Sequence, residues 1–116
     1  MTPSIPLDAI HGVVAMLPTP SLTGADEPHH PFGVDLEETE RATQALIEAG
    51  VSAIMTNGSL GEMATLTHDE WRRFNEVVIA SARAVDPQFP VFVGATAPST
   101  HATIELARAV ETIGGQ

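Results

Sequence analysis

Three times along this chain a short apolar run leads through a turn into a capped stretch with helical periodicity. No other feature restricts the fold as much, because strands that alternate with helices pair in parallel and are joined by crossovers. The expected N-caps are Asp35, Thr67 and either Ser99 or Thr100; with Ser99 they are evenly spaced, which suits repeated βα units. The first apolar run, 12–17, stops at Pro18-Thr19-Pro20, where two prolines forbid both a continuing ladder and a helix. A long loop over 21–33 follows, broken by Gly24, Pro28 and Pro31. The spacing then predicts a helix over 36–49, with Leu36, Thr39, Thr43, Leu46 and Ile47 on its inner face and Gly50 at its end. In the second unit, a strand over 51–56 and a glycine-rich loop precede a helix over 68–85. Thr67 and Glu70 make a capping box there, and Trp71, Phe74, Val78, Ala82 and Val85 form a core stripe. The third unit takes a strand over 91–93, a loop over 94–98 and a helix to about 113, with Thr103, Leu106, Val110 and Ile113 inward and Ile104 outward. The chain thus divides into a segment 1–11 and successive units 12–50, 51–89 and 90–116 of one domain.

Strands apolar on both faces imply a parallel sheet covered by helices. A (β/α) barrel and a doubly wound open sheet both meet that requirement, and the periodicity does not choose between them. Either fold binds ligands at the C-terminal ends of its strands, where the loops at 18–20, 57–62 and 95–99 would gather.

Composition narrows the chemistry. The 116 residues include no lysine, tyrosine or cysteine, so this chain by itself supplies no Schiff-base amine, phenolic proton relay or thiolate. Fifteen acids against five arginines, a net charge of -10, disfavour nucleic acid and anionic membrane as partners. Residues 1–10 carry Pro3, Pro6 and Asp8 rather than a basic start and an apolar run, so no signal peptide is expected. With no cysteine for a disulfide framework, the cytoplasm is the default location. No apolar run approaches the ~18 residues of a membrane-spanning helix.

The segment Thr56-Asn57-Gly58-Ser59-Leu60-Gly61-Glu62 joins the second strand to its helix. Its glycines let the backbone come close to a ligand, Ser59 brings a hydroxyl, and neighbouring N–H groups can converge on a small carboxylate or phosphate. An ordinary turn also favours Gly and Asn, so these residues alone leave both readings open. Other polar groups read as structural. His29 and His30 lie near Asp26 and Glu27, but successive side chains diverge and no metal site is expected. His68 and His101 fall in first helical turns and should face solvent, and His11 precedes the first strand. Glu37, Glu38 and Glu40 make a solvated helix face, while Glu62 is expected to bind loop N–H groups. Without a Walker lysine, a nucleotide-binding P-loop is excluded.

Gly58-Ser59-Leu60-Gly61-Glu62, followed by Ala64-Thr65-Leu66-Thr67, resembles the glycine loop of the dihydrodipicolinate synthase and N-acetylneuraminate lyase family, whose hallmark is G-[TS]-T-G-E after the second barrel strand. Thr19-Pro20 and Val93-Gly94-Ala95 match in order and position, and the resemblance spans roughly 12–115. It implies a (β/α)₈ barrel in which a pyruvate-type 2-keto acid forms a Schiff base with a lysine of the sixth strand, with no added cofactor. A tyrosine of the fifth strand relays protons, and members are commonly homo-oligomers. Carried over residue by residue, the resemblance puts Gly58, Ser59 and Leu60 at the keto-acid carboxylate. Ser59 takes the first hydroxyl position and a part in proton transfer, in a full-length context only. Leu60 takes the second position, without a hydroxyl but with its N–H. A bulky residue there is similar to the hydratase-aldolase branch of the trans-o-hydroxybenzylidenepyruvate type, as are Met55-Thr56-Asn57-Gly58 and Met16-Leu17-Pro18-Thr19-Pro20.

A barrel of this kind takes ~250 residues. The chain is therefore expected to be the N-terminal part of a pyruvate-dependent lyase, inactive alone because the lysine and tyrosine lie beyond it. Leaving four large barrel-facing side chains wet would forfeit ~6–12 kcal/mol, against a typical domain stability of ~5–15 kcal/mol. The alternative is a non-catalytic open-sheet domain that binds a small anion or an oligomer partner.

Overall fold

A computed structural model describes residues 4–116. The first three residues of the expected segment 1–11 lie outside the described residues. Three parallel strands, β1 (Val14–Met16), β2 (Ala53–Thr56) and β3 (Val91–Val93), form one sheet in the order β1-β2-β3. Each leads into a helix, α1 (Leu36–Glu48), α2 (His68–Val85) and α3 (Thr100–Ile113). The first two strands are shorter than the apolar runs that predicted them: Val13 and Ser52 precede the regular ladder, although Ser52 N–H still donates to the Val13 carbonyl at 2.8 Å.

The helices begin where the caps direct them. Asp35 accepts from the Glu38 N–H at 2.9 Å, Ser99 from the Ala102 N–H at 3.2 Å, and Thr67 with Glu70 completes the reciprocal box. Each contact satisfies a helix-start N–H that has no partner within the helix.

Sequential strand order decides the layering. When each crossover is right-handed and every strand is added on the same side of the last, all helices must fall on one face of the sheet. The core agrees: Leu17, Ile54 and Val91 pack with Phe74, Val78, Ile79 and Ala82 of α2, while Leu46 and Ile47 of α1 and Ile113 of α3 close over them. Within these three strands the order does not reverse, as a barrel requires and as the first three strands of a 3-2-1-4-5-6 doubly wound sheet also show. The opposite face carries Val14, Met16, Met55 and Phe92, placed there by the two-residue alternation and by the register Met16↔Met55↔Phe92. Val14, Met16 and Met55 are 39%, 36% and 41% exposed. Because neighbours already cover more than half of each of these three, the forfeited burial for the face is about 2–5 kcal/mol rather than the ~6–12 kcal/mol expected.

One core assignment is corrected. Val85, the last residue of α2, is 56% exposed, and Phe89, buried just beyond the following turn, fills the core at that end.

The loop over 21–33 is closed at its base by Leu22 N–H to the Gly33 carbonyl at 2.8 Å and Asp35 N–H to the Pro20 carbonyl at 2.9 Å. It is tied to α2 by the Glu70 carboxylate, which accepts the Gly33 N–H at 2.7 Å, and by Arg73 lying 4.3 Å from the Phe32 ring centre. Burial works to raise the Glu70 pKa, but the N–H groups of Gly33 and Thr67 and the Thr67 hydroxyl outweigh it and hold the group below its usual value of 4.5. A carboxyl whose pKa is depressed on folding stabilises the fold above its unfolded pKa and loses that contribution as pH falls through the folded one. Urea midpoints should therefore show Glu70→Gln well below the parent at about pH 7, with the gap narrowing towards about pH 3. A gap constant with pH would refute this role for the carboxylate.

Candidate active site

The glycine loop leaves the C-terminal end of β2 between the chain exits of β1 and β3, and all three elements hold it. From the β1 exit, the Thr19 hydroxyl donates to the Gly61 carbonyl at 3.0 Å. Asn57 Nδ2 donates to the same carbonyl at 2.9 Å, which closes the turn from within. Asn57 adopts φ 48°, a left-handed conformation that Asn tolerates better than most residues. Its Oδ1 accepts from Asn75 Nδ2 of α2 at 2.7 Å, and the same Nδ2 donates to the Trp71 carbonyl at 2.8 Å. Asn75 Oδ1 accepts in turn from the Thr56 hydroxyl at 2.6 Å. Both asparagines are almost wholly buried, so each unmet amide group would cost the full penalty of desolvation.

Contact with β3 is equally close. Gly94 N–H donates to the Thr56 carbonyl at 3.1 Å, and the Trp71 indole N–H donates to the Gly94 carbonyl at 3.0 Å. A Cβ at Gly94 would lie 2.4 Å from the Asn57 carbonyl oxygen, and one at Gly61 would lie 2.6 Å from the Asn57 nitrogen. Only glycine permits these approaches.

The result is a tight turn in which Gly61 and Met63 N–H both donate to the Gly58 carbonyl, at 2.9 and 3.3 Å. Ser59 and Leu60 form its exposed tip, and Met16 lies against Gly58. Among the described residues, the N–H groups of Ser59 and Leu60 and the Ser59 hydroxyl bond to no other group of the chain. Two successive unmet N–H groups beside a hydroxyl can take the oxygens of one small anion.

Glu62 departs from expectation. Its carboxylate accepts the Thr65 hydroxyl rather than loop N–H groups, because φ 62° at Glu62 turns the chain towards residue 65. His68 is exposed as expected and stacks on Trp71 with ring centres 5.7 Å apart. His101 is exposed and lies 3.2 Å from Glu105. His29 is exposed and His30 half-buried, and among the described residues no group of three or more His, Asp or Glu converges as a metal site would require.

Sequence reasoning missed the asparagine link. Trp71, expected in the core, is buried there, but its indole N–H also reaches β3. The apolar periodicity of α2 passes over Asn75. The signal was present: a carboxamide four residues after Trp71, between Phe74 and Val78 on an apolar stripe, must find buried partners.

A profile of the Dihydrodipicolinate synthetase family matches residues 20–116. The chain is 39% identical over 113 residues to the trans-2'-carboxybenzalpyruvate hydratase-aldolase of Nocardioides sp. (strain KP7), covering 97% of this chain and 33% of that protein. It is 39% identical over 107 residues to the trans-O-hydroxybenzylidenepyruvate hydratase-aldolase of Sphingobium xenophagum, covering 92% of this chain and 32% of that one. The solved structure of PhdJ bound to a substrate intermediate superposes with a TM-score of 0.87 at 40% identity, over 93% of this chain and 32% of its own. A monomeric dihydrodipicolinate synthase variant superposes with a TM-score of 0.77 at 31% identity, over 92% and 32%. The chain spans about a third of the length of these relatives. Its three units correspond to three of the eight in a (β/α)₈ barrel. With the profile matched over most of its length, the chain belongs to the dihydrodipicolinate synthetase family.

Proposed function

We propose that this chain is the N-terminal portion of a Schiff-base-forming, pyruvate-dependent lyase of the hydratase-aldolase type. The observation that carries the reading is the pinned glycine loop, which presents the unmet N–H groups of Ser59 and Leu60 beside the Ser59 hydroxyl. In this reading the two N–H groups hold the carboxylate of a 2-keto acid, and Ser59 moves a proton close to it. Charge-assisted bonds of this kind are shorter and stronger than neutral ones.

What surrounds the turn supports a substrate class. Leu60 and Met63, 64% and 39% exposed, and Met16 against Gly58 offer an apolar margin suited to an aromatic ring. The proposed substrate is a pyruvate carrying an arylidene group, a class in line with the names of the relatives. Water adds across its carbon–carbon double bond, and carbon–carbon cleavage then releases an aromatic aldehyde and pyruvate. The amine that condenses with the ketone, losing water to give the Schiff base, comes from a lysine outside this chain, as does the tyrosine relay.

The test is chemical. Pyruvate and borohydride, followed by intact-mass and peptide-mass measurement, should give no side-chain adduct on the 116-residue chain, because its only amine is the α-amine. The full-length protein should give one adduct per subunit, at a lysine downstream. An internal adduct on the short chain, or none on the full-length protein, would sink the proposal.

A further inference from the structure

We propose that Asn75 is a positioning residue for the glycine loop, acting through Asn57 to aim the N–H groups of Ser59 and Leu60. This rests on the carboxylate-binding reading above and extends it to a residue of α2 that does not touch the substrate. Asn75 spends its whole carboxamide on this task. One N–H of Nδ2 goes to Asn57 Oδ1 and the other to the Trp71 carbonyl, while Oδ1 takes the Thr56 hydroxyl. That arrangement orients the Asn57 amide: with Oδ1 turned to Asn75, its Nδ2 must face the Gly61 carbonyl, where it donates at 2.9 Å. Gly61 is therefore held from two sides, by Asn57 and by Thr19, and its own N–H closes the turn onto Gly58.

The left-handed backbone at Asn57 gives the link its importance. Asn tolerates this backbone, but the direction in which the residue presents its amide is set by its surroundings. Asn75 is the one side chain in the described structure that hydrogen-bonds the Asn57 side chain from another element. Without it, a buried carbonyl oxygen on Asn57 is left unmet and the amide is free to flip, which would set oxygen against the Gly61 carbonyl. The turn would relax and mis-aim its two free donors.

The experiment compares Asn75→Leu with Val78→Ala in the full-length protein. Both remove buried contacts of α2, but Val78 has no part in the hydrogen-bonded network. Asn75→Leu should raise the KM for the 2-keto acid roughly 10- to 100-fold, the worth of a mis-aimed charge-assisted bond. It should also speed hydrogen exchange at the Gly61 and Met63 N–H groups. Val78→Ala should lower Tm while leaving KM and loop exchange near the parent. Asn75→Asp, which keeps the shape but replaces donors by an acceptor, serves if the leucine variant does not fold, and should act in the same direction. If the Asn75 and Val78 variants change KM and loop exchange alike, or neither changes them, Asn75 is only a structural residue and the inference fails. If the parent neither binds nor turns over a 2-keto acid, the functional reading falls instead, and loop exchange alone then decides whether Asn75 orders the turn.

Discussion

Ser59→Ala in the full-length protein is expected to lower kcat/KM by ~10²-fold or more, the scale of general acid–base assistance. The Ser59 hydroxyl stands exposed at the tip of a turn that the rest of the structure holds, and among the described residues it has no partner within the chain. Its removal should therefore leave the loop's own bonds, Gly61 and Met63 to Gly58 and Thr19 and Asn57 to Gly61, in place. The loss would appear in turnover and not in Tm. Leu60→Thr offers a contrast: it keeps the backbone donor, so pyruvate binding should change little, whereas the preferred aldehyde should shift as an apolar contact becomes a hydroxyl. Steady-state kinetics with two or more aldehydes separate these effects. Unchanged turnover in Ser59→Ala would reduce the loop to a simple turn.

The 116-residue chain, purified alone, is expected to bind a hydrophobic dye or to self-associate. Its sheet buries one face under three helices and leaves Val14, Met16, Met55 and Phe92 on the other. Contiguous apolar surface of that kind is unusual on a monomer. The missing burial, about 2–5 kcal/mol, is a large share of the ~5–15 kcal/mol that holds a typical domain together. Dye fluorescence and sedimentation would register it directly. A monomer that unfolds cooperatively and binds no dye would show that this face is covered in a way the structure does not contain.

Much of the fold was legible because its signals are local. Asp35, Thr67 and Ser99 each accept from an N–H three residues ahead, so the sequence alone locates the first two helix starts and places the third at Ser99 or Thr100, of which the structure takes Ser99. The ends were less certain. Val85 continues the apolar period of α2 but extends past the core, since periodicity registers which side of a helix a residue occupies and not how far its neighbours reach. Glu62 differs from expectation for a related reason: its positive φ cannot be foreseen for a residue that is neither Gly nor Asn. The composition of the glycine loop was plain from the start, but its state was not. Whether Ser59 and Leu60 keep their N–H groups free depends on where the surrounding bonds go.

What the sequence determined by itself was the set of βα units, their caps, the glycine loop and the family it resembles, all of which rest on residues a few positions apart. Two matters waited for the tertiary structure. The first was the layering: it depends on the order in which strands are added, and the observed order β1-β2-β3 puts every helix on one face and leaves Val14, Met16, Met55 and Phe92 on the other. The second was the support of the candidate site. Asn75 and Asn57 are 18 residues apart in the chain and meet only because α2 packs back across the end of β2. No local pattern encodes such a bond. It is enforced by the cost of burying a carboxamide without partners, which becomes a constraint only once the helix has docked.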